Sequence, residues 1–155
     1  MSDEHFLVAE LTARGETVAT AESLTAGLVC ATLARVSGAS AVLRGGLVVY
    51  ATELKASLAG VDPELLAARG AVDPEVAAQL AAGARERCGA TWGLGLTGVA
   101  GPSSQDGVDP GTVFVGLAGP GTRTVRTLEL AGDRDMIRTE SVCAAFALLG
   151  EHLRA

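Results

Sequence analysis

Lys55 is the one lysine in a chain with 12 basic residues, and Tyr50 is its single tyrosine. Where arginine serves as the general positive charge, a retained lysine invites a chemical reading. A desolvated lysine can lose its proton near neutrality, and an arginine cannot. Lys55 is read either as a group for proton chemistry or as an ordinary surface lysine. Both histidines, His5 and His152, sit near the chain ends, which disfavours Ser-His-Asp or Cys-His chemistry. The chain has no HExxH, no paired histidines and no acidic cluster at metal spacing, so no metal and no cofactor are expected. Cys30, Cys88 and Cys143 lie far apart. They read as small buried hydrophobes rather than a disulfide frame or zinc site.

Ser23 is the candidate nucleophile. It follows TVATA (17–21), a compact β-branched strand, and precedes LTAGLVCATLARV (24–36), an apolar helix that Ser23 or Thr25 would cap. A serine on such a strand-to-helix turn lies beside backbone N–H groups suited to an oxyanion. Its hydroxyl needs a base, and with no central histidine the candidates are a neutral Lys55 or the Tyr50 phenol. The competing reading makes Ser23 a helix cap and Tyr50 a packing residue.

The remaining elements place these groups. Residues 4–14 read as a helix stopped by Gly15, and VLRGGLVVY (42–50) as a second strand in which Gly45 and Gly46 mark a bulge or close backbone approach. Short helices follow over 52–58 and 63–69. A longer helix opens at Asp73-Pro74 and runs to about Cys88. TWGLGLT (91–97) is a third strand. Residues 98–110 form a Gly/Pro/Ser loop, read as a phosphate cradle or a plain connection. Strands over 112–118 and 124–130 make a hairpin, and 133–153 is the closing helix.

This order predicts an α/β fold, a three-layer α/β/α sandwich with a mixed, mostly parallel sheet, in one domain over 1–155. Right-handed crossovers bring the carboxyl ends of parallel strands to one edge. Ser23, Tyr50 and Thr97-Gly98 end the three strands, and Lys55 lies about one turn beyond Tyr50.

Hydrophobic residues make up 48% and charged residues 19% of the 155 residues, which excludes a disordered chain. A net charge of −6 argues against nucleic acid as partner. No apolar run reaches the roughly 20 residues that cross a bilayer, and the acidic start MSDEHFLVAE lacks a signal peptide's basic region. The expectation is a cytoplasmic globular domain with no membrane partner.

TVATAESLTAG (17–27), GGLVVYATELKASLAGV (45–61), GAVDPEVAAQLAAGARERCGA (70–90), GLTGVAGP (95–102) and PGTVFVGLA (110–118) resemble the CinA C-terminal domain family over about residues 4–153. The resemblance implies a three-layer α/β domain, often dimeric, that hydrolyses the carboxamide of nicotinamide mononucleotide to nicotinate mononucleotide and ammonia. It implies a serine nucleophile at Ser23, with Tyr50 and Lys55 beside it and either one as base. In this reading N–H groups near Thr25, Ala26 and Gly27 hold the oxyanion. Gly46 and Thr97 approach the substrate, and the loop from Gly98 to Gly101 or an arginine, Arg134 or Arg138, takes its phosphate. The chain departs from the family's usual AESCTGG with AESLTAG, and from its GPGG loop with GPSS. The other reading, a nucleotide-binding or regulatory module of the same fold with little or no catalysis, differs in whether ammonia is released.

Overall fold

A computed structural model describes residues 3–155. Its elements are α1 (Asp3–Arg14), β1 (Val18–Glu22), α2 (Leu28–Ala34), β2 (Leu43–Val48), α3 (Thr52–Ser57), α4 (Pro63–Arg69), α5 (Pro74–Cys88), β3 (Trp92–Gly98), β4 (Thr112–Gly119), β5 (Thr122–Glu129) and α6 (Arg134–Arg154). Asp62, Asp73 and Asp133 cap α4, α5 and α6 by accepting a backbone N–H from the first turn.

The strands form one sheet in the order β2-β1-β3-β4-β5. β1 pairs in parallel with β2 and β3, while β4 runs antiparallel to both β3 and β5. The sheet is therefore mixed, and β4 alone points the other way. The register slips between Val18 and Ala19, whose β2 partners are Leu43 and Gly45, so the irregularity falls at Arg44, just before the Gly45-Gly46 pair where it is expected.

Strand alternation gives the sheet two unlike faces. Val18, Leu94, Leu96, Val113, Val115 and Leu117 face a large-residue core with Leu7, Leu11, Leu33, Phe146 and Leu149 from α1, α2 and α6. Ala19 and Ala21 face the other way, into a cluster with Val76, Leu80 and Ala84 of α5. Gly93, Gly95 and Gly116 lie on that second face too. A Cβ on Gly116 would stand 2.3 Å from the Ala77 carbonyl oxygen, and one on Gly95 2.5 Å from it. So α5 rests on strand backbone, a closeness only glycine permits.

Two expectations are corrected. The helix read over 24–36 begins only at Leu28, and neither Ser23 nor Thr25 caps it. Its N-cap is Gly27, with no side-chain bond from that residue. Ala26 and Gly27 have φ of 49° and 95°, a left-handed pair that interrupts the helical path. The cysteines are not core residues: Cys30 and Cys88 are half-buried and Cys143 is exposed, all three as free thiols. Cys143 falls on the outer side of α6, because Ile137, Ser141, Val142, Ala145 and Leu149 define the inner one.

The α5 contact can be tested by adding one methyl group. Gly116→Ala should destabilise the fold by about 2 kcal/mol or more, since neither backbone can yield. Gly45→Ala is the control. Its Cβ would meet only the Cys88 Sγ, at 3.8 Å, and stability should change by no more than about 0.5 kcal/mol. Equal denaturation midpoints for the two variants would refute the close-approach account.

Candidate active site

β1, β2 and β3 end side by side, and their exits build the site. Ser23 directly follows β1, where its N–H continues the ladder by donating to Leu96 O at 3.0 Å. The chain leaving β2 stays tied to β1 through Val49 N–H to Glu22 O at 2.9 Å. It then bends through Tyr50 into α3, which carries Lys55.

Lys55 is 1% exposed. Its Nζ lies 2.9 Å from Ser23 Oγ, 2.8 Å from Val49 O and 3.2 Å from Tyr50 O. An ammonium has three donors, and three oxygens receive them. When the amine is neutral, the two carbonyls still hold its two N–H groups, which leaves the lone pair for the Ser23 hydroxyl. Burial pushes the Lys55 amine from the usual 10.5 down to about 8, against an opposing pull from the nearby Glu53 charge. Serine and amine are thus in hydrogen-bond contact, with the amine tuned toward the neutral form.

The serine opens onto a cleft of about 410 Å³ walled by Leu24, Tyr50, the 98–105 segment and Arg134. Arg134 donates to Gly101 O at 2.7 Å and to the Tyr50 hydroxyl at 2.8 Å. The Tyr50 ring is 56% exposed. It therefore meets the lysine through its carbonyl, while its phenol belongs to the cleft rim with Arg134. This geometry favours Lys55 over Tyr50 as base.

The other expected residues divide. Gly98 and Gly101 line the cleft with Arg134. Thr25, Ala26, Gly27, Gly46, Thr97 and Arg138 do not. Thr97 Oγ1 donates to Ala71 O at 2.7 Å on the α5 side of the sheet. Gly46 and Gly27 border a separate hollow with Cys30 and Val48. Arg138 donates to Leu24 O at 2.9 Å and Thr25 O at 3.1 Å, so its guanidinium clamps the serine turn instead of awaiting a phosphate. The N–H groups expected to hold an oxyanion are partly spent. Ala26 and Leu28 donate to Ser23 O and Thr25 O, and Val29 and Cys30 donate to the Glu22 carboxylate. Among the described residues, the amides of Leu24, Thr25 and Gly27 have no such partner.

Sequence reasoning missed Glu22, while Ser103, Ser104 and Gln105 of the cleft wall fall in the 98–110 loop read as a phosphate cradle or a plain connection. Glu22 did carry a signal. It is the one charge in VATAE, a strand whose every residue is buried.

Lys55 makes a signed prediction. Folding disfavours its ammonium below about pH 8, and this cost fades as pH rises from about 8 towards 10.5, where the unfolded chain's lysine also deprotonates. Lys55→Met has no such group, although it strips Val49 O and Tyr50 O of a donor at a pH-independent cost. Relative to Lys55→Met, the wild-type chain should gain up to about 3 kcal/mol across that window. Denaturant midpoints of both proteins through the window measure this, and a difference flat in pH would mean a normally titrating lysine.

The sequence profile of the CinA C-terminal domain family matches residues 2–153. A CinA-like protein of Frankia casuarinae is 51% identical over 139 residues, covering 90% of this chain but 32% of that protein. One from Anaeromyxobacter sp. is 50% identical over 149 residues, covering 96% of this chain and 36% of its own length. The chain thus spans about a third of these relatives. The crystal structure of the competence/damage inducible protein CihA from Agrobacterium tumefaciens superposes with TM-score 0.94 at 30% identity, over 99% of this chain and 94% of that one. A CinA superfamily protein from Escherichia coli superposes at 0.92 with 29% identity, over 96% and 88%. With a matched profile over nearly its whole length and the same fold, this chain belongs to the CinA C-terminal domain family.

Proposed function

We propose that the chain is an amidohydrolase that converts nicotinamide mononucleotide to nicotinate mononucleotide and ammonia. The observation that carries this reading is the 2.9 Å contact between Ser23 Oγ and the buried Lys55 Nζ at the floor of an open cleft. A neutral amine beside a hydroxyl is a nucleophile with its base, and needs no histidine.

The chemistry follows from that pair. Ser23 Oγ attacks the carboxamide carbon as its proton passes to Nζ. The carbonyl oxygen becomes an oxyanion, for which the free amides of Leu24 and Thr25 are the nearest donors along the chain. Lys55 then returns the proton to the departing nitrogen, and ammonia leaves. Water attacks the Ser23 ester, giving its proton to Nζ, and collapse restores the serine alcohol and releases the carboxylate. Gly98, Gly101 and Arg134 provide the polar side of the cleft for the nucleotide, with Arg134 as the cation for its phosphate. A homodimer or higher homo-oligomer in the cytoplasm is part of the same proposal. Exposed Val48, Leu54 and Leu58 offer apolar surface for a second copy, and sedimentation at micromolar concentration tests it.

Three substitutions test the chemistry through ammonia release from nicotinamide mononucleotide. Ser23→Ala should lower turnover by at least about 10³-fold while remaining folded. Lys55→Arg keeps a cation but supplies no base, and should lose a similar factor. Tyr50→Phe should keep kcat within about fivefold, since the phenol bonds Arg134 and not the dyad. An active Arg variant would return the base role to Tyr50. Absence of ammonia release by the wild-type chain would favour the regulatory module.

A further inference from the structure

Glu22 is a carboxylate with no exposed surface, and such groups are rarely buried without a paired cation. Here the partners are neutral. Its Oε1 accepts from Thr25 Oγ1 at 2.7 Å and Val29 N–H at 2.8 Å. Its Oε2 accepts from Thr20 Oγ1 at 3.0 Å and Cys30 N–H at 3.1 Å. Every proton comes from a partner, as suits an acceptor-only group. The four donors belong to β1, to the turn after it and to the start of α2. One side chain therefore ties the two ends of the segment that carries Ser23.

That segment needs tying. Ala26 holds a left-handed φ of 49°, which is unfavourable for a residue with a Cβ. Gly46 keeps the Thr20 donor in place, because a Cβ there would stand 2.6 Å from Thr20 Oγ1. Arg138 fixes the opposite polarity of the turn by donating to the carbonyls of Leu24 and Thr25. Carboxylate on the donors and guanidinium on the acceptors leave the turn one arrangement.

We infer that Glu22 is a positioning residue for the nucleophile: its four hydrogen bonds hold the Ser23 turn so that Oγ stays in contact with Lys55 Nζ, and by occupying the Val29 and Cys30 amides it leaves oxyanion binding to the earlier amides of the turn, those of Leu24, Thr25 and Gly27. The inference rests on the Ser23–Lys55 reading proposed above. Glu22→Gln preserves shape but sets an NH₂ group against one threonine hydroxyl, which can turn to accept, and one backbone N–H, of Val29 or Cys30, which loses its acceptor. Ser23, Lys55 and the cleft walls stay unchanged in composition. A displacement near 1 Å at a reacting group can cost on the order of 10²-fold.

The test reads the serine directly. Purified wild-type chain and Glu22→Gln are treated with a fluorophosphonate, and Ser23 labelling is followed by intact mass, beside steady-state kinetics with nicotinamide mononucleotide. In a variant with wild-type circular dichroism, labelling should slow by at least about tenfold and kcat should fall by a similar factor, with KM within about twofold. Wild-type labelling rates in that variant overturn the inference and leave Glu22 with a purely structural role. A raised KM with unchanged kcat overturns it as well. Should Glu22→Gln fail to fold, Thr25→Val removes one of the four donors with little change of shape. Slowing by about threefold or more supports the inference, and an unchanged rate overturns it. If the wild-type chain labels at Ser23 but releases no ammonia, the substrate reading fails while the labelling comparison still decides the role of Glu22. A wild-type Ser23 that does not label overturns both.

Discussion

A buried amine must find oxygen acceptors inside the protein. Lys55 Nζ finds two in the carbonyls of Val49 and Tyr50 and a third in Ser23 Oγ. The carbonyls belong to the bend that leaves β2, so α3 has to begin immediately and carry Lys55 back over its own entry. The serine belongs to the exit of β1, so β1 and β2 have to be parallel neighbours ending at the same level. The β2-β1-β3 order and the Val49–Glu22 backbone bond meet these demands. A lysine with fewer acceptors would carry an uncompensated burial cost, and one open to water would keep its ordinary protonation.

The two faces of the sheet support the same corner differently. On one face, large aliphatic side chains from β1, β3 and β4 pack against α1, α2 and α6. On the other, glycines on β3 and β4 let α5 settle onto the strand backbone. Reversal of β4 then matters for the cleft. Val99 N–H donates to Thr112 O and Gly111 N–H to Val99 O, so the loop between β3 and β4 is pinned at its neck. The stretch from Ala100 to Gln105 is thereby presented, with Gly98 and Val99 below it, as one wall of the cleft, joined to Tyr50 through Arg134. A long connection held this way can be polar and irregular without closing over the serine.

Much of this was legible from residue types. Period and punctuation located the strands and most helices, α4 and α5 to the residue, because Asp-Pro caps and terminal glycines are local signals. Scarcity singled out Lys55 and Tyr50, and the strand-to-helix position singled out Ser23. What failed has two causes. The roles of Thr97 and Arg138 depend on partners distant in sequence, whereas the α2 start and the burial of Glu22 turn on a left-handed bend at Ala26-Gly27 and on donors from Thr20, Thr25, Val29 and Cys30, which no simple periodicity announces. Thr97 meets Ala71, Arg138 meets Leu24 and Thr25, and Arg134 meets Tyr50. No periodicity shows that an arginine will find main-chain carbonyls instead of an anion. Tyr50 illustrates the same limit within one residue, since its carbonyl serves the lysine while its ring serves the cleft.

The site also depends on keeping two buried ionisable groups apart. Glu22 precedes Ser23 in the chain, and Lys55 touches Ser23 in space. Had the carboxylate turned to the amine, the pair would have stabilised the ammonium and raised its proton affinity, removing the base. Instead both Glu22 oxygens are taken up by hydroxyls and amides on the α2 side, while the lysine faces carbonyls from the bend after β2. Glu53 is the one charge that pulls Lys55 toward its protonated form, and burial outweighs it. Neutral donors around the carboxylate and neutral acceptors around the amine satisfy each group without a salt bridge. That separation, as much as burial, keeps the proton affinity of the amine beside the serine low.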